Sequence, residues 1–217
     1  AEGKSPDYTL KDPQALRRAA ASYGLAPEGR TDAELALALA GTLLDEFAAQ
    51  EETLATLRLA PLKRQALWTA LRLAPSGIDR MIVEAMHRTH IGVDHDYAHL
   101  LRHAFRTALA DGWGGSRIAS IVSDILFGTP SPVRSRVNLG VLDEATVNIV
   151  VHGHEPALAE MLAVASRDPE ILDQARQAGA AGITLAGLCC TANEILMRHG
   201  IPIAGSFLQQ EIGRAHV

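Results

Sequence analysis

Apolar positions recur with helical spacing through the first part of the chain and give way to short β-branched runs in the second. Asp12-Pro13 places a capping residue before a proline suited to a first helical turn, and Gly24 closes that helix. Thr31-Asp32-Ala33-Glu34 has the spacing of a capping box and introduces an apolar-periodic run through Phe47. Pro61 starts a helix that contains Trp68 and stops before Pro75. Helical patterning resumes from Ile78 to about His90 and from Asp96 to Ala110. It returns from Ser116 to Phe127, after a Gly112-Trp113-Gly114-Gly115 loop.

Between Gly128 and Asn138 the chain is rich in Pro, Ser, Arg and Gly, which marks a boundary. Val147 to Val151 then reads as a buried parallel strand. Pro156 opens a helix through about Ser166, and Asp168-Pro169 opens another that Gly179 ends. Gly182 to Gly187 is the next strand, and Thr191-Ala192-Asn193-Glu194 caps a helix closed by His199-Gly200. Ile201 to Ala204 begins a third strand. The fold class is therefore α followed by α/β, a helical domain and then the first half of a Rossmann-like parallel sheet with right-handed crossovers. The expected divisions are a lead-in over 1–12, the helical domain over 13–127, a linker over 128–146, a partial α/β domain over 147–211 and a tail over 212–217.

The composition agrees with ordered structure: 47% of the 217 residues are apolar, mostly Ala, Leu, Ile and Val, and aromatics make up only 4%. A net charge of −5 gives no electrostatic reason to expect nucleic acid or an anionic membrane. No apolar run approaches a bilayer span and no signal peptide is visible, so the expected location is the cytoplasm. The two cysteines, Cys189 and Cys190, are adjacent, which is poor spacing for a structural disulfide. They read as reduced thiols, either packed as small apolar groups or available as ligands.

Ligands in open parallel sheets bind at the carboxyl ends of the strands. Here the first strand runs into His152-Gly153-His154-Glu155-Pro156 and the second into Gly187-Leu188-Cys189-Cys190. Parallel pairing puts imidazole and thiol on one edge, a ligand set suited to iron, nickel or zinc. A Cys–His nucleophilic dyad is a competing reading, but no group that would orient the imidazole is identifiable. Structural zinc would call for CxxC-type spacing, and a dinucleotide site for GxGxxG; the chain offers neither here. His95, His99 and His103 fall at helical spacing and could form one stripe, for which a solvated or packed face is the simpler account. The same account serves His87 and His90, and His199 sits where a helix dipole favours it without a further role. Trp113 reads as the anchor of its turn.

From Ile78 onward the sequence resembles the nickel-dependent carbon monoxide dehydrogenases. The resemblance is carried by Met86-His87-Arg88-Thr89-His90, Asp111-Gly112-Trp113-Gly114-Gly115 and Ser123-Asp124-Ile125-Leu126-Phe127-Gly128-Thr129-Pro130. It continues in Asn138-Leu139-Gly140-Val141-Leu142, the His152 to Pro156 motif and Leu188-Cys189-Cys190-Thr191-Ala192-Asn193-Glu194. Leu196-Met197-Arg198-His199-Gly200 and Phe207-Leu208-Gln209-Gln210-Glu211 complete it. What it implies is an enzyme that converts CO and water to CO2, two protons and two electrons at a Ni-Fe-S cluster of nickel, iron and sulfide. The electrons would leave through 4Fe-4S clusters to ferredoxin. By the same resemblance His154 is the cluster-ligating histidine, with His152 as the alternative, packed or hydrogen-bonded. Cys190 is the expected thiolate ligand, and Cys189 a neighbour that tunes or protects the site. Asn193 and Glu155 would orient the ligands. A homodimer and an association with acetyl-CoA synthase are the partners implied.

Several family features have no counterpart in the chain: the cysteine-rich segment for the 4Fe-4S clusters, a multi-histidine helix, and the remaining cluster cysteines including the nickel ligand. The expectation is a fragment truncated at both ends, inactive alone and prone to aggregate because its sheet edge is unpaired. Ile212-Gly213-Arg214-Ala215-His216-Val217 matches the translation of a common sequencing adaptor, so His216 is not expected to be a ligand. The alternatives are a metal-free paralogue or interaction module of the same fold, or a hybrid-cluster-type oxidoreductase.

Overall fold

The structure is a computed structural model that describes residues 10–49 and 54–214. Asp12 accepts from the Ala15 N–H at 2.8 Å and begins α1 (Pro13–Ser22), which Gly24 closes in the left-handed region at φ +78°. Thr31 and Glu34 form the reciprocal capping box of α2 (Asp32–Ala48). Along that helix Leu35, Leu39 and Leu43 recur at one-turn spacing and are all buried. Then come α3 (Leu62–Ala70), α4 (Ile78–Thr89), α5 (Tyr97–Ala110, capped by Asp96) and α6 (Ser116–Phe127). Short 3-10 turns over Ala55–Leu59 and His90–Gly92 complete this part.

The chain divides into two compact units, 1–125 and 126–217. In the first, Leu16, Ala20, Leu35, Leu54, Leu57, Met81 and Ile118 share one core. Glu46 is 6% exposed there and receives the Thr56 N–H at 2.7 Å, so the α2–α3 connection returns onto its own helix.

Two expectations for this unit change. Asp111–Gly115 is a π-helical turn that joins α5 to α6, rather than a loop. Gly114 lies close against the core there: a Cβ would lie 2.9 Å from Ile78 Cδ1 and 3.2 Å from Leu54 Cδ1, so a larger residue would have to displace those side chains. Trp113 packs edge-to-face on Trp68 with ring centroids 5.8 Å apart. The histidine stripe also dissolves. His95 precedes α5, whereas His103 is buried with Nε2 3.1 Å from the Met81 carbonyl oxygen. His99 is exposed beside Asp94 and Asp96.

The second unit contains β1 (Val147–Val151), α7 (Pro156–Ala165), α8 (Pro169–Gln177), β2 (Ile183–Gly187), α9 (Cys190–Arg198) and α10 (Gly205–Arg214). The strands pair in parallel, with Val147 opposite Ile183 and Val151 opposite Gly187. Side-chain alternation covers both sheet faces. Leu185 joins Val151, Ala159, Ala163, Ile195 and Leu196 on one side, while Ala186 joins Leu188, Ala204 and Leu208 on the other. The expected third strand contracts to a single parallel bridge between Gly187 and Ile203. Gly205, at φ +64°, turns the chain into α10 before pairing can extend.

Candidate metal centre

β1 ends at Val151 and the loop His152-Gly153-His154-Glu155 leads into α7. Gly153 has φ +135°, a region that favours glycine, and the turn brings its backbone to the neighbouring loop. β2 ends at Gly187, and the Leu188 N–H still donates to the Val151 carbonyl at 3.0 Å. In-register pairing thus delivers both loops to the same edge.

There Cys189 Sγ has three neighbours on the first loop. It accepts from the Gly153 N–H at 3.2 Å, donates to the Gly153 carbonyl at 3.0 Å, and lies 3.9 Å from His154 Nε2. Both hydrogen-bonding roles of the Cys189 thiol are met by the Gly153 peptide groups, so Cys189 ties the histidine loop to the second strand. His154 is exposed. Cys190 is the first residue of α9, and its side chain lies outside the described residues.

Other expected roles are redistributed. His152 is exposed, with no hydrogen bond among the described residues, so it is neither packed nor bonded. Glu155 accepts from the Ala157 N–H at 3.1 Å and caps α7. Cys189, not Thr191, is the capping residue of α9: its backbone is extended at φ −135°, and no side chain caps that helix end. Glu194 instead pairs with Arg198 at 3.0 Å, one turn along. Asn193 Oδ1 is buried without a hydrogen-bond partner beneath the end of β2.

Among the described residues no group of three His, Cys, Asp or Glu side chains converges as a complete metal site. An imidazole nitrogen and a thiol on one exposed edge, with a buried amide oxygen below, fit a metal–sulfur group that draws its other ligands from elsewhere. One contact had no local signal in the sequence: His199 Nε2 lies 2.5 Å from Glu160 Oε2, although 39 positions separate the residues.

The family profile of Prismane/CO dehydrogenase matches residues 1–215. The chain belongs to that family. It is 55% identical over 211 residues to carbon monoxide dehydrogenase 1 of Methanosarcina mazei, covering 97% of this chain and 34% of the relative. It superposes on the as-isolated nickel-free carbon monoxide dehydrogenase of Thermococcus sp. AM4 with TM-score 0.84 and 49% identity, covering 95% of this chain and 33% of that one. An acetyl-CoA synthase/carbon monoxide dehydrogenase structure, described with NiZn[Fe4S4] and NiNi[Fe4S4] clusters in its α subunits, aligns with TM-score 0.82 and 42% identity over 97% of this chain and 31% of that one. The chain therefore spans about a third of the length of the relatives it matches. Among the described residues no helix is long and apolar enough to cross a membrane.

Proposed function

We propose that this chain is the part of an anaerobic carbon monoxide dehydrogenase that contributes His154 and Cys190 to a Ni-Fe-S cluster. The observation that carries the proposal is the shared strand edge, where the His154 imidazole stands 3.9 Å from the thiol of Cys189, the neighbour of Cys190. When bound, the cluster supplies the redox chemistry that joins CO to a water-derived oxygen and releases CO2, two protons and two electrons. His154 would present Nε2 as a neutral nitrogen donor, and Cys190 a thiolate. Cys189 holds the loop: its sulfur is engaged by the Gly153 peptide, which fixes where His154 leaves the sheet. Pairing one imidazole with thiolates would make its iron electronically distinct from the others.

The partners that go with this reading are CO, CO2 and water as substrates, ferredoxin as electron acceptor, a second copy in a homodimer, and acetyl-CoA synthase. The electrons would leave through 4Fe-4S clusters held outside this chain, in the cytoplasm. His154 and Cys190 alone do not complete a cluster, so the chain by itself is expected to be inactive.

The test is CO-dependent dye reduction by the full-length enzyme containing this sequence, produced anaerobically with nickel. Turnover is expected, and its absence in a preparation that holds iron, sulfide and nickel overturns the proposal. The 217-residue chain, reconstituted with the same components, is expected not to oxidise CO.

A further inference from the structure

The helices that follow the two site loops are joined again, away from the sheet edge. His199 caps the C-terminal end of α9, and its Nε2 lies 2.5 Å from Glu160 Oε2 within α7. The side chains are 10% and 19% exposed, so water competes little for this contact. The contact is within hydrogen-bond distance, with the imidazole N–H as donor and the carboxylate oxygen as acceptor. Arg167, just past α7, donates to the His199 carbonyl at 2.6 Å and satisfies one of the terminal acceptors of α9. The packing between the helices is made largely by small residues: Ala159 and Ala163 of α7 share a core with Ala192, Ile195 and Leu196 of α9. Small residues permit close approach of the axes, and interiors packed at that density transmit displacement rather than absorb it.

The near end is fastened by Cys189 to the Gly153 peptide and the far end by His199 to Glu160 and Arg167. We propose that Glu160 and His199 are a positioning pair: a clamp that sets the angle between α7 and α9 and thereby holds the Gly153-His154 loop against Cys189. The importance of this clamp for a cluster rests on the function proposed above, whereas the clamp itself acts in the metal-free chain. Neither residue touches the site. Their effect passes through two helices whose N-terminal ends carry Glu155, as the cap of α7, and Cys190, as the first residue of α9.

The experiment is amide hydrogen exchange on the metal-free full chain, reading Gly153 against the amides of β1 and β2 as internal reference. Glu160→Ala and His199→Ala are each expected to raise Gly153 exchange about tenfold relative to the strand amides, as local rather than global opening. His199→Lys places an N–H donor opposite Glu160 and is expected to restore protection. Unchanged exchange at Gly153, or an equal rise throughout the strands, overturns the clamp. A parallel measurement separates the two proposals: iron and nickel content of the full-length enzyme carrying His199→Ala. Lost Gly153 protection with several-fold lower metal content supports both. Lost protection with wild-type metal content keeps the clamp and contradicts its link to the cluster.

Discussion

Gly187 and Asn193 meet where β2 hands over to α9: a Cβ on Gly187 would lie 2.4 Å from Asn193 Oδ1 and 3.3 Å from its Cα. The strand can approach the helix only because this position has no side chain. Gly187→Ala is expected to destabilise the second unit by about 1–3 kcal/mol through overpacking. Calorimetry or denaturant unfolding measures this. Because the severest clash is with the Asn193 amide, with Leu196 Cδ1 next at 3.1 Å, Gly187→Ala combined with Asn193→Ala is expected to recover part of the loss, a non-additivity that neighbouring positions permit.

Arg198 is the second prediction. Its side chain is 1% exposed, yet it donates to the Gly128 carbonyl, to the Glu194 carbonyl at 2.9 Å and to Glu194 Oε1 at 3.0 Å. Arg198→Met keeps much of the volume but strands these acceptors, at a cost of about 3 kcal/mol. Equilibrium unfolding should show the fall; a change within error would mean that water replaces the guanidinium.

The capping box of α2 gives a pH-dependent test. The Thr31 backbone N–H, and then its hydroxyl, hold the Glu34 carboxyl below its ordinary value of 4.5. A carboxyl lowered by folding contributes stability above its unfolded value, and that contribution is lost as the pH falls through the folded value. Acid titration of stability should therefore lose a component below about pH 4.5, and Glu34→Gln should remove that component. Thr31→Ala is expected to cost about 1 kcal/mol at neutral pH.

Tyr23 gives an alkaline test of the first unit. Burial, reinforced by the Glu46 carboxylate, pushes its phenol from 10.0 up to about 12. The folded state thus keeps a proton that the unfolded state releases. Stability is full below pH 10.0 and declines as the pH rises towards about 12. Tyr23→Phe should suppress that decline, measurable by unfolding at a series of alkaline pH values.

What could be read from the sequence was mostly local. Asp12, Thr31, Asp96 and Asp168 cap the helices they precede, because a short polar side chain reaches the free N–H groups only from that position. The two parallel strands followed from β-branched content and turn residues, and in-register pairing then placed His154 and the cysteine pair on one edge. The misreadings were decided by distant contacts. The glycine run at 112–115 resembles a loop, but Gly114 is buried against Leu54 and Ile78 and continues the helix as a π turn. Thr191 and Glu194 have capping-box spacing, but the extended backbone at Cys189 starts α9 before Thr191. Ile201 to Ala204 has strand character, yet the turn at Gly205 leaves only the bridge at Ile203. The Glu160–His199 contact needs two helices to be docked before it exists.

The central claim concerns His154 and Cys190, and the most direct test is metal analysis of the anaerobically produced full-length enzyme carrying His154→Ala or Cys190→Ala. Each substitution is predicted to lower nickel and iron content together and to change the electron paramagnetic resonance of the cluster. Cys189→Ala should loosen the loop while retaining more metal than either. Wild-type nickel and iron content with an unchanged spectrum in both His154→Ala and Cys190→Ala would contradict the assignment of this strand edge as the cluster's ligand site.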